Sequence, residues 1–110
     1  MSDHNYDLDK KAIMDGLLLG MPGVKGSKAF GYPAYKVNGR VFAFVGSHGI
    51  AVKLPLARVQ ELIATKAGMK PFEVADGIIW REWVGIDYSQ SEDYAQDIDL
   101  FEESLSFVAG

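Results

Sequence analysis

The sequence predicts an α+β domain: a two-layer arrangement with an antiparallel five-stranded sheet, in the order helix, three strands, helix, two strands, helix. Two observations carry most of that expectation. Three separated segments place apolar residues at helical spacing, most regularly Tyr94, Ile98, Phe101, Leu105 and Val108. Between the first two of them, GYPAYKVNGRVFAFVGSHGIAVKLP (Gly31–Pro55) reads as three strands joined by two short glycine-bearing turns.

A first helix is expected over Leu8–Gly20, with Asp7 as N-cap and Asp9 in the first turn, where the backbone N–H groups favour an anion. Its apolar stripe is Leu8, Ala12, Ile13, Leu17 and Leu18, and GMPG ends it, Gly20 serving as a left-handed cap. GMPGVKGSKAFG then reads as a flexible connection, since the spacing of a phosphate loop is absent; Lys25 and Lys28 form a short basic pair able to attract an anion.

Asn38-Gly39 suits a type I′ turn, which needs positive φ at both central residues. A regular hairpin from that turn pairs Val37 with Arg40, Tyr35 with Phe42 and Pro33 with Phe44, all on one face. If Ser47 and His48 are the centre of the next turn, Val45 pairs with Ile50 and Ala43 with Val52. One face then carries Val41, Ala43, Val45, Ile50, Val52 and Leu54 as an aliphatic core face. The other carries Tyr35, Phe42 and Phe44 among Arg40 and Lys53.

Pro55 suits the first position of a second helix with apolar residues Leu56, Val59, Leu62, Ile63 and Ala67, ended by Gly68. Strands over 72–74 and 79–87 follow, joined near Asp76-Gly77. A regular last strand points Trp80 and Trp83 to opposite faces, Trp80 into the core. Ser89 with Glu92 fits a capping box for the final helix.

With 110 residues, the chain (1–110) has the size of one domain, and residues 1–6 are expected to be disordered. Cysteine is absent, which excludes disulfides, thiolate metal sites and cysteine nucleophiles. The acidic N-terminus is unlike the basic start of a secretory signal, and no apolar run has the length of a membrane span, so a cytoplasmic protein without membrane contact is expected. The net charge of −4 is segregated: Gly16–Gln60 holds six cations and no carboxylate, Tyr88–Gly110 six carboxylates and no cation. The two halves are expected to neutralise each other on folding, because overall acidity opposes phosphate binding.

No clustered His or Asp pattern suggests a metal site, and no cofactor motif is present. His48 reads as a turn residue and His4 as part of the terminus; neither shows the partner a general base needs. An enzyme would require a polar pocket near His48, Arg81 or Asp76, and no catalytic residue is assigned.

MPGV, FGYPAYKVNGRVFA, VKLPLARVQELIA and KPFEVADG with REWVGI, in that order, resemble the TfoX N-terminal domain-like family and the related MmcQ/YjbR-like proteins. The resemblance spans Leu17 to the C-terminus and rests on Asn38-Gly39-Arg40-Val41-Phe42-Ala43, Lys53 and Trp83. It implies a compact α+β domain of the secretion-chaperone-like, YjbR-like type without agreed catalytic residues; TfoX proteins regulate natural competence.

Tyr35, Arg40, Phe42, Phe44, Lys53 and Trp83 therefore form the expected interaction surface. The expected function is a non-enzymatic binding or regulatory domain acting through a protein partner or as a homodimer. The alternative is a nucleic-acid-binding, competence-type transcription regulator that stacks bases on the rings and holds phosphates with the cations.

Overall fold

The computed structural model describes residues 6–47 and 49–110. The chain runs α1 (Leu8–Leu18), β1 (Val24–Ala29), β2 (Tyr32–Val37), β3 (Arg40–Val45), β4 (Ile50–Lys53), α2 (Leu56–Thr65), β5 (Met69–Ala75) and β6 (Ile78–Ile86). A 3-10 segment (Ser91–Asp97) then leads into α3 (Ile98–Ala109). The strands form one open antiparallel sheet in the order β1-β2-β3-β4-β6-β5.

The sheet has six strands rather than five, because the presumed connection after Pro22 is β1. VKGSKA has only its two end residues apolar, and glycine, lysine and alanine are all poor strand formers. As an edge strand it is held by its ladder to β2, from Val24↔Val37 to Ala29↔Tyr32, more than by burial. The turn that makes this possible is Phe30-Gly31, with φ of 58° and 81°.

Asn38-Gly39 forms the expected turn, with φ of 52° and 77° and the pairs Val37↔Arg40 and Lys36↔Val41. The register then slips: Tyr35 pairs with Ala43 and Ala34 with Phe44, so β3 carries one extra residue at Phe42. Tyr35 and Phe42 consequently lie in the helix-side core, at 1% and 0% exposure, and Val41 moves to the opposite face. An all-apolar strand has no alternation with which to fix its own register. Two contacts hold the slipped arrangement: the Tyr35 hydroxyl donates to Asp15 Oδ1 at 2.6 Å, and the Ser104 hydroxyl donates to the Phe42 carbonyl at 3.1 Å. The next hairpin has the expected pairs Val45↔Ile50 and Ala43↔Val52. His48 itself, like His4, lies outside the described residues.

The helices share one side of the sheet with Ala43, Val45, Ile50, Val52 and Leu54. Asp7 caps α1 by accepting from the N–H groups of Asp9 (2.8 Å) and Lys10 (3.3 Å). The helix ends at Leu18, and the left-handed glycine is Gly23, not Gly20. Its buried positions are Met14 and Leu18; Leu8 and Ala12 face outward. Pro55 is the N-cap of α2, one position earlier than predicted, and Val59 and Leu62 are that helix's buried residues. The Ser89–Glu92 capping box does not form: Gln90 holds the N-cap position of the 3-10 segment without a side-chain bond. The predicted stripe persists through the change of helix type, with Tyr94, Phe101 and Val108 buried and Ile98 and Leu105 packed beside them.

The residues expected to be disordered fall outside the described part except Tyr6, which packs against the core.

A candidate binding cleft on the helix-free sheet face

The opposite face of the sheet is covered by rings in place of a helix. Across its centre run Phe44, Ala51 and Gly85, neighbours on β3, β4 and β6. A large ring thus stands beside two positions with almost no side chain. Phe44 is 1% exposed because other aromatics close around it. Tyr32 stacks on it at 6.1 Å, while Phe72 and Trp83 meet it at 5.4 and 5.3 Å in edge-on or tilted contacts, the geometries ring quadrupoles favour.

Two local irregularities bring these rings together. In the β5–β6 hairpin Pro71 pairs with Val84 but Phe72 pairs with Trp80, which leaves Arg81, Glu82 and Trp83 without partners on β5. That break resets the side-chain alternation of β6 between Trp80 and Val84. It also puts Trp80 and Trp83 on the same side, their ring centroids 6.0 Å apart, where a regular strand would have opposed them. At the other flank, Phe30 adopts φ +58°, a left-handed conformation rare for a bulky residue. Its ring is 59% exposed, yet reaches Phe44 at 5.5 Å and Trp80 at 5.0 Å.

Between the β5–β6 hairpin and Ala51–Gly85 lies a cleft of about 480 Å³, lined by Phe30, Phe44, Phe72 and Trp80. This is within the usual range for a small-ligand or anchor-residue site, roughly 300–1,000 Å³. Val74 also lines the cleft, and Ile78 and Ile79 are exposed at the end of the same hairpin. The two charged side chains in the walls are engaged: Lys70 Nζ donates to Asp87 at 3.1 Å, and Glu73 accepts from the Gly77 N–H at 3.0 Å. Arg81 and Asp76 do not line the cleft. Among the described residues no group of three or more His, Cys, Asp or Glu could hold a metal ion, and no helix is long and apolar enough to cross a membrane.

Of the six residues expected to form the surface, Phe44, Trp83 and Lys53 share this face, Lys53 paired with Trp83 across the ladder. Arg40 is exposed beside the Asn38-Gly39 turn, cross-strand from core residue Val37. Tyr35 and Phe42 belong to the helix-side core. Burial and the Asp15 carboxylate push the Tyr35 phenol far above its ordinary value, which keeps it a neutral donor. Phe30, Tyr32, Phe72, Trp80 and Gly85 enter the site without having been singled out for it. The one usable signal was the Phe30-Gly31 pair, which occupies the same kind of turn as Asn38-Gly39.

The expected charge neutralisation is limited. Arg58 Nε contacts both Glu103 oxygens, at 3.1 and 3.0 Å, and Arg58 Nη1 lies 2.6 Å from Glu61. Lys25, Lys28, Lys36, Arg40 and Lys53 form no ion pair among the described residues. Lys25 sits directly opposite Lys36 in the ladder, so both project on the face that carries the rings.

No protein-family model, curated protein or solved structure matches the chain.

Proposed function

We propose that the protein is a non-enzymatic binding domain that works through protein–protein contact, with the aromatic cleft as its contact site. The observation carrying this reading is the cleft of about 480 Å³ on the sheet face that no helix covers. Its walls are rings and its floor is Ala51 and Gly85, which suits capture of an apolar group. The resemblance to the TfoX N-terminal domain-like family supports the same class of function, a regulatory domain without catalytic residues.

The test is a titration of the isotope-labelled protein with indole, followed by amide chemical shifts. Shifts are expected at Ala51, Phe72 and Gly85, and Gly85→Leu, which fills the floor, is expected to abolish them. Shifts scattered over the helical layer, or unchanged in the filled variant, would remove the proposal.

A nucleic-acid reading draws on Lys25, Lys36 and Lys53, which share the ring-bearing face. It predicts association with a single-stranded oligonucleotide that weakens steeply with salt. The burial of Phe44 and Trp83, at 1% and 9% exposure, opposes it, because bases need open ring faces for stacking.

A further inference from the structure

We infer that the helix-free face takes an acidic peptide segment carrying a bulky apolar side chain, the side chain seated in the cleft and the carboxylates held by Lys25, Lys36 and Lys53. This rests on the binding reading above and adds the chemistry of the partner.

The lysines carry the argument. Lys25 and Lys36 face each other directly across β1 and β2, an arrangement that like charges disfavour. Among the described residues neither has an acidic partner, and neither does Lys53 at the far side of the same face. Carboxylates from the acidic C-terminal part are used elsewhere: Glu103 by Arg58, and Asp97 by Lys66 at 3.3 Å. The distances suit one extended segment. Tyr32 lines the cleft, and Lys36 lies four positions further on the same strand, about 13 Å away at ~3.3 Å per residue. An anchor residue and carboxylates a few positions along one peptide therefore reach both places.

Two other occupants fit less well. A second copy docked face to face would bring the same unpaired lysines together. A nucleic acid would satisfy the lysines but find the rings occupied by one another: Phe44, Phe72, Trp80 and Trp83 meet edge-on or tilted.

The experiment is selection of a random peptide library displayed on phage against the full chain, with the cleft-filled Gly85→Leu variant as counter-selection. Enriched peptides are expected to combine Asp or Glu with a Trp, Phe or Leu. Their affinity is expected to fall about tenfold in the surface variant K25Q/K36Q/K53Q, which leaves the core untouched, and to weaken with salt. Peptides that depend on the cleft but show no preference for Asp or Glu would overturn this inference and leave the binding reading standing. Failure of any peptide to discriminate the protein from the filled variant would overturn both. Tight, lysine-dependent binding of a single-stranded oligonucleotide with no acidic peptide enriched would replace the peptide by nucleic acid.

Discussion

Replacing Phe30 by Asn gives the β1–β2 turn the same Asn-Gly pair that closes β2–β3, and removes only the ring. The backbone gains, because a left-handed conformation costs an ordinary L-residue about 1–2 kcal/mol and Asn tolerates it better, so on the order of 1 kcal/mol is recovered. The ring loses its packing. Full burial of a Phe side chain is worth about 1.5–3 kcal/mol. At 59% exposure, less than half of that applies, about 1 kcal/mol. The contacts with Phe44 and Trp80 add roughly 0.5 kcal/mol each at such a rim position. Loss and gain leave a net destabilisation of about 1 kcal/mol, against about 3–5 kcal/mol for Phe44→Ala at the centre of the same cluster. Urea unfolding of both variants at unchanged slope measures the difference, and the indole titration reads the loss of the cleft wall. If Phe30→Asn cost as much as Phe44→Ala, the ring would be a keystone of the fold, and the reasoning that a strained turn keeps it for the surface would fail. If it stabilised the protein while indole still bound, the Phe30–Trp80 contact would not exist in solution.

Tyr94→Phe removes a hydroxyl that donates to the Ile86 carbonyl at 2.8 Å and accepts from the Tyr88 N–H at 3.1 Å, and is expected to cost about 2 kcal/mol in chemical denaturation; a neutral result would mean that water replaces both bonds. Stability is expected to fall as pH rises above about 10, because burial raises the phenols of Tyr35, Tyr88 and Tyr94 over the ordinary 10.0. The unfolded chain ionises first as pH rises, so the folded state loses its advantage through the folded value, about 12 for Tyr94. That group's share, on the order of 3 kcal/mol, should vanish from the alkaline unfolding curve of Tyr94→Phe; identical curves would refute the assignment. Gly49→Ala is expected to be severe, roughly 3 kcal/mol or more, since a Cβ there would lie 2.4 Å from the Ile86 carbonyl oxygen at φ +147°. Gly85→Ala, whose Cβ meets nothing closer than 3.5 Å, should fold nearly as well as the parent, and equal thermal shifts for the two would contradict the geometry.

Much of the fold was legible because it is written locally. Asp7 caps α1, Asn38-Gly39 and Asp76-Gly77 turn hairpins, and the stripe from Tyr94 to Val108 keeps its face although its first turns are 3-10 rather than α. The face opposite the aliphatic core is expected from the sequence to be aromatic and basic, but only Phe44, Trp83 and Lys53 of its predicted members are there. The misassignments share one cause. Side-chain alternation transmits a face assignment along a strand only while the ladder is regular, and both strands break it: β3 at Phe42, inside an apolar run, and β6 across Arg81, Glu82 and Trp83. β1 was hidden for the reverse reason: its place comes from pairing with β2, and its composition carries almost no burial signal.

Strand order has a consequence for the birth of the chain. β1 to β4 pair each with the next in line, so this meander can close before α2 and β6 have left the ribosome, synthesis running from the N-terminus. For that interval its ring-bearing side lacks Phe72, Trp80 and Trp83, a sticky surface on an unfinished protein. Every charge between Gly16 and Gln60 is positive, so neighbouring nascent copies repel one another until the acidic half arrives. The lysines that form no ion pair among the described residues would then serve earlier, by keeping unfinished copies apart.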